Sequence, residues 1–167
     1  MITRAVVIVG LFILSSGAVA APAAAQQPGT RFPVPHHQQI TANPFGLILG
    51  WYNAEYERKL SETWSIGLGG SRLPLDDEGV TSASAAFRFY PQSASLTSFY
   101  FGPRLGFYRV HEIDDSESWL GVGFELGYTW LLGKNRNFNV SLGAGATKLL
   151  AGPVVPTVKL LNVGWAF

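Results

Sequence analysis

Between Trp119 and Gly133 the sequence W-L-G-V-G-F-E-L-G-Y-T-W-L-L-G sorts its residues by parity. Leu120, Val122, Phe124, Leu126, Tyr128 and Trp130 take one set of alternate positions. Trp119, Gly121, Gly123, Glu125, Gly127 and Thr129 take the other. Successive side chains of a β-strand point to opposite faces, so the stretch predicts a strand with one continuous apolar face, backed by glycine and a single carboxylate. A strand half-exposed to water would carry Lys, Glu and Thr on its outer face. A nearly side-chain-free inner face suits the tight interior of a small closed barrel whose large residues point outward into lipid.

The same plan recurs along the chain. Thr63–Leu73 sets Trp64, Ile66 and Leu68 against Ser65, Gly67 and Gly69; Val80–Tyr90 sets Ala83, Ala85, Phe87 and Phe89 against Ser82, Ser84, Ala86 and Arg88. Thr97–Val110 points Phe99, Phe101, Leu105 and Phe107 outward and Tyr100, Gly102, Arg104, Gly106 and Tyr108 inward. Phe138–Leu149 and Val155–Phe167 complete the series. The breaks between these segments are read as alternating between short turns (Ser61-Glu62, Pro91–Leu96, Lys134–Arg136) and longer ones (Asp76–Gly79, His111–Ser118, Ala151–Pro153). That asymmetry matches outer-membrane barrels, with tight periplasmic turns and longer outer loops. A chain entering from the periplasm needs an upward strand first, so Ile40–Leu60 is read as two strands, Ile40–Leu49 and Tyr52–Leu60, around a tight turn near Gly50-Trp51. The expected fold is all-β: an eight-stranded antiparallel up-and-down transmembrane barrel over residues 40–167.

This orientation brings Trp64, Phe89, Phe99, Trp130, Phe138, Trp165 and Phe167 to the periplasmic ends of their strands, as an aromatic girdle at headgroup level. Trp51, Tyr52, Phe107 and Trp119 form a thinner upper belt. At the N-terminus, Arg4, the apolar run Ala5–Leu14 and the small residues up to Ala25 read as a secretory signal peptide over residues 1–25, with A-x-A cleavage sites after Ala20 or Ala25. The apolar run is too short to span a bilayer. Prolines and polar residues make 26–39 a periplasmic leader.

Composition narrows the function classes. Charged residues are 14% of the chain and the net charge is +1, with no clustered basic face for nucleic acid. Without cysteine there is no disulfide framework, thiolate chemistry or lipoprotein anchor. Nineteen glycines beside 13% aromatics is odd for a soluble core, because glycine weakens strands unless something packs close to the backbone.

The closing segment Leu161–Phe167 alternates apolar with small or polar residues and ends on Phe. It resembles the last strand of single-chain outer-membrane barrels, whose terminal aromatic residue is read by the barrel-assembly machinery. Within that class the chain resembles the small OmpA/OmpX-type barrels. It is similar also to a family of small barrels known only as a domain of unknown function, through Asn43-Pro44-Phe45-Gly46-Leu47, Glu55-Tyr56-Glu57, Phe101–Gly106 and Glu125–Gly133. The resemblance implies a location in the bacterial outer membrane with lipid and lipopolysaccharide as surroundings, and implies little about task.

Parity places Glu55, Glu57, Arg88, Arg104 and Glu125 in the lumen. Counting from the turns puts Arg104, Glu125 and Glu55 at similar heights with Arg88 and Glu57 lower, predicting two stacked ion-pair layers, with Arg104 and Glu125 as direct cross-strand neighbours. An eight-strand interior is just wide enough for such side chains to fill, so a plugged polar lumen is expected, with a structural or surface-interaction role. A narrow channel is the functional alternative for these residues. The rim stretch His111–Ser118 holds a base, acids and hydroxyls of the kind a lipid A acyltransferase or deacylase needs, yet one short loop is poorly suited to fixing them, and no catalytic residue is assigned. Its acids, with Asp76, Asp77 and Glu78, are of the type that shares divalent cations with lipopolysaccharide phosphates. His36-His37 lacks a third ligand nearby in sequence, so no metal or cofactor site is expected.

Overall fold

The computed structural model describes residues 36–74, 78–112 and 116–167, without the side chains of Glu78 and Glu112. The expected signal peptide, most of the leader, and the tips of two outer loops (75–77 and 113–115) lie outside the described residues. Eight antiparallel strands close on themselves in sequence order: β1 (Gln38–Ala42), β2 (Tyr52–Lys59), β3 (Trp64–Pro74), β4 (Glu78–Phe89), β5 (Ser98–Glu112), β6 (Ser116–Leu132), β7 (Phe138–Leu149) and β8 (Val154–Ala166). The end carrying the short turns and Phe167 is termed the base, the other end the mouth. Closure is made at the base, where the amide of Phe167 donates to the Gln38 carbonyl (2.8 Å) and the amides of His37 and Gln38 donate to the Phe167 carbonyl (3.1 and 3.0 Å).

The partition of side chains is inverted relative to a water-soluble domain. Leu120, Val122, Phe124 and Leu126 of β6 are all exposed, as are Ile66 and Leu68 of β3, Phe87 of β4, Leu105 of β5 and Leu142 of β7. Among the described residues the buried set is mostly polar, including Gln39, Glu57, Arg88, Arg104, Glu125, Asn139 and Thr147. Trp64, Trp130, Phe138, Trp165 and Phe167 are exposed near the base, with Phe89 and Phe99 half-buried beside them. Rings meet across strands, Trp64 with Phe89 at 4.7 Å and Phe89 with Phe101 at 5.5 Å between centroids. Trp119, expected in the upper belt, stands on the inward parity of β6, opposite Tyr108.

The first hairpin differs from expectation. β1 begins at Gln38 and stops at Ala42, and the remainder of the supposed strand forms a one-turn helix, α1 (Pro44–Ile48). The side chain of Asn43 accepts from the amide of Gly46 (3.0 Å) and Pro44 takes the first helical position, where a missing N–H costs nothing. The amide of Trp51 then donates to the Gly46 carbonyl (2.7 Å), and Gly50, at φ +76°, turns the chain into β2. No two-residue turn sits at Gly50-Trp51. The alternation of Phe45, Leu47 and Leu49 mimicked a strand, whereas the Asn-Pro start and glycine stop were the signals that governed.

A second departure lies in β8. Ser141 of β7 pairs with Asn162 but Gly143 pairs with Lys159, so Leu142 faces two residues, Leu160 and Leu161. This β-bulge reverses the parity of β8 above Asn162. Extrapolating inward-pointing Asn162 and Gly164 upward would turn Lys159 toward the outside. With the bulge, Lys159 points inward.

Gly164 marks the tightest crossing of strands. A Cβ there would lie 1.8 Å from the Ile40 carbonyl oxygen, at the seam that closes the barrel. Gly164→Ala is therefore expected to destabilise the barrel by at least about 3 kcal/mol, the upper end for overpacking. Gly70→Ala, whose Cβ would meet nothing nearer than 3.7 Å, serves as the control and should change stability by less than about 0.5 kcal/mol. Urea titrations of the two variants check the difference; equal midpoints would contradict the close-approach account.

Candidate functional site: the charged lumen

Large polar side chains fit inside this narrow wall because their neighbours are small. Glu57, Gly67, Ala86, Arg104, Gly123 and Thr147 are successive partners along one row of the ladder, so charged residues alternate with glycine or alanine around the barrel. Arg88 lies flat against the wall over Gly67, where an added Cβ would sit 3.2 Å from its guanidinium carbon. Tyr100 similarly occupies the space above Gly127 and Gly143. The inward glycines that sequence parity assigned to a narrow lumen thus make room for particular neighbours.

Arg88 is the hub. It is 1% exposed and addresses three carboxylates with its three nitrogens. Its Nε donates to Glu125 Oε1 (2.6 Å), Nη2 to Glu55 Oε1 (2.6 Å) and Nη1 to Glu57 Oε2. Arg104 adds a bond from Nη1 to Glu125 Oε2 (3.0 Å). Lys159, brought inward by the bulge, donates to Glu55 Oε2 (2.5 Å) and lies 3.6 Å from Glu125 Oε2. Three carboxylates and three cations therefore balance. The face of Tyr100 lies under the Arg88 guanidinium, 4.6 Å from centroid to carbon.

Glu57 is satisfied from every side. Gln39 Nε2 donates to it at 2.8 Å, Tyr90 through its hydroxyl at 2.5 Å, and Ser65 Oγ also donates to it. Gln39 in turn accepts from Asn139 Nδ2. At the base, Tyr90 and Leu96 have no exposed surface, and the two rings of Tyr90 and Tyr100 are 5.6 Å apart. Leu96 belongs to the turn between β4 and β5 and adopts φ 68°, a region bulky residues avoid. That turn is tied to the one before β3 by Ser95, whose hydroxyl donates to the Ser61 carbonyl (2.7 Å) and whose amide donates to the Glu62 carbonyl (2.9 Å).

The five lumen residues named from the sequence meet in one network, but not in the two layers expected. Glu125 pairs directly with Gly102 and Arg104 with Gly123, so the Arg104–Glu125 contact is diagonal and is spanned by the length of the arginine. Strands in a small barrel are strongly tilted, so equal counts from the turns do not mean equal heights, and Arg88 reaches the members of both supposed layers. Lys159, Tyr90 and Gln39 were missed. Lys159 had a usable signal: strict parity would have left a lysine on the lipid face well inside the strand, a position that is costly.

Among the described residues the rim forms no comparable constellation. His111 and Ser116 are partners in the β5–β6 ladder, but His111 is exposed and the Ser116 hydroxyl is approached by Arg109 Nη2 (3.2 Å). The His36 ring nitrogen lies 3.0 Å from the Asn135 carbonyl oxygen, at the base.

With this geometry in place, the chain can be compared with known proteins. No protein-family model matches it, and no curated protein matches it. Solved structures do match. The N-terminal β-barrel domain of Pseudomonas aeruginosa OprF is similar with a TM-score of 0.57 and 14% identity, over 79% of this chain and 98% of that one. Yersinia pestis Ail is similar at lower scores, 0.49 at 16% identity in a phospholipid nanodisc and 0.46 at 14% identity in a crystal. Each of these matches covers 79% of this chain and 99% of that one. The chain has the all-β fold of the small eight-stranded outer-membrane barrels, an OmpA/OmpX-type closed antiparallel meander.

Proposed function

We propose that this chain resides in the bacterial outer membrane as a barrel with a closed lumen, and that it acts through its outer loops and lipid-facing wall rather than by conducting solutes or by catalysis. The observation that carries this reading is Arg88 of β4, held by carboxylates from both β2 and β6 with the Tyr100 ring against its face, while Tyr90 and Leu96 are fully buried near the base. A guanidinium with every nitrogen engaged and its face on an aromatic ring has little freedom to move aside for ions or water. The exposed apolar wall supports the membrane placement, because an outer surface of this extent is not stable against water. The aromatic residues near the base supply the interfacial girdle. Lipid and lipopolysaccharide are the natural surroundings of such a wall.

Planar-bilayer recording tests closure directly. Correctly inserted wild-type protein is expected to give no resolved single-channel steps, whereas regular openings would overturn the closed-lumen reading. Stability provides a second measurement. Arg88→Met leaves three carboxylates facing one another and should lower unfolding stability by on the order of 3–5 kcal/mol, as for other broken buried pairs. Lys159→Met should cost less, because Glu55 and Glu125 retain Arg88. Both are read from urea midpoints by tryptophan emission, and an Arg88→Met midpoint equal to wild type would show that the network is not what holds the lumen.

A further inference from the structure

Toward the mouth, above Arg88, the lumen changes character. Arg104 (β5), Gly123 (β6), Thr147 (β7) and Val155 (β8) are successive partners in one row, and the adjacent row toward the mouth pairs Gly106 with Gly121. A Cβ on Gly106 would lie 2.6 Å from the Tyr108 ring and 3.0 Å from its hydroxyl, and one on Gly121 would lie 2.7 Å from Thr147 Cγ2. Tyr108 and Thr147 thus lean over one glycine pair beside Arg104. Three buried polar atoms on these neighbouring positions lack a hydrogen-bond partner among the described residues: Arg104 Nε, the Tyr108 hydroxyl and Thr147 Oγ1. Thr147 has no exposed surface and Arg104 is 8% exposed. All three groups can donate, and Nε can do nothing else, so the cluster suits an acceptor-rich oxygen group such as a phosphate.

The wall beside this cluster is incomplete as a ladder. β1 pairs with β8 only between Gln39–Ala166 and Ala42–Val163, so β8 from Val154 to Asn162 pairs with β7 alone. At about 3.4 Å per residue this leaves roughly 25–30 Å of strand edge without a neighbouring strand. α1 lies next to β2 and β8 in that interval, yet no backbone hydrogen bond among the described residues joins it to β8. Pro156 removes one donor from the edge. The outer surfaces here are apolar: Ile48 is 81% exposed, with Phe45, Leu47, Val154 and Leu160 also exposed. Elsewhere each strand has a ladder partner on both sides for most of its length, and here a one-turn helix lies in that place.

Resting on the membrane placement proposed above, we infer that the seam between α1 and β8 is a side entry by which an outer-leaflet amphiphile places a phosphate-bearing head on Arg104, Tyr108 and Thr147 while its chains stay in the bilayer. The row from Arg104 through Thr147 ends at Val155 on the unpaired edge of β8, so head site and entry are contiguous. An amphipathic occupant fits the two chemistries found side by side, free donors inside and an apolar rim outside.

The chain has no cysteine, so single substitutions report access in full-length protein reconstituted into vesicles. A phospholipid with maleimide on its headgroup is the probe, applied to Thr157→Cys (inner face of β8 at the seam), Ser84→Cys (inner face of β4, across the lumen) and Leu120→Cys (outer wall). Labelling of Thr157→Cys and Leu120→Cys, with Ser84→Cys unlabelled over the same interval, is expected. Soluble dihexanoyl phosphatidic acid should slow labelling at Thr157→Cys while inorganic phosphate does not, and adding Thr147→Val should weaken that protection about fivefold, the worth of one hydrogen bond. Equal labelling of Ser84→Cys and Thr157→Cys, or labelling of Leu120→Cys alone, overturns the side entry. Protection by inorganic phosphate as strong as by the amphiphile, or no protection by either, overturns the lipid-head site. Failure of Leu120→Cys itself to label would instead count against the membrane placement.

Discussion

The narrowness of an eight-strand barrel governs this molecule. The interior has room for a few large side chains only where their neighbours are glycine, alanine or serine, so bulk moves to the outer face and the buried set is mostly polar. Every unusual compositional feature follows from that constraint. Glycine is abundant because Arg88 lies over Gly67 and Tyr100 over Gly127, and because strands cross closely at Gly164. Large apolar residues are exposed because nothing inside can accept them.

Within the same constraint, charge must be neutralised on the spot. Arg88, Arg104 and Lys159 meet Glu55, Glu57 and Glu125 with hydroxyls and amides filling the remaining positions, and this local balance lets six ionisable groups share a confined space. Such a network gains little over an apolar filling of equal shape, but it is costly to break because a lone partner is left without compensation. It therefore acts as a specificity device: strand register and the β8 bulge must both be correct for Lys159 to reach Glu55. The half of the lumen nearer the mouth is built differently, with three buried polar atoms that lack a hydrogen-bond partner among the described residues, and α1 lies beside its wall.

Much of this was legible in the sequence because period-two alternation is a strong signal when one face is nearly all glycine. β3 to β7 lie within a few residues of their expected limits, and the inward parity of Glu55, Glu57, Arg88, Arg104 and Glu125 corresponds to one cluster in space. What alternation cannot carry is a break in its own period. The bulge at Leu160-Leu161 hid Lys159, and the Asn43-Pro44 helix start hid inside an apolar run that alternated by coincidence. Heights failed for a related reason: tilt makes cross-strand register a property of the closed barrel, not of counts from the turns. Tyr90 and Leu96 were read as a strand end and a turn, since their burial depends on how that turn folds back over the base.

An accessibility scan of β4 gives the most direct test of the inverted wall. Ser82 to Phe87 are small apart from Phe87, so spin-labelled cysteines can replace them one at a time in vesicles. The account predicts oxygen accessibility that peaks at positions 83, 85 and 87 and falls at 82, 84 and 86, because the first set faces lipid and the second the packed lumen. Peaks at 82, 84 and 86, or no alternation, would contradict it, since then neither the apolar outer wall nor the charged interior could be where the structure has them.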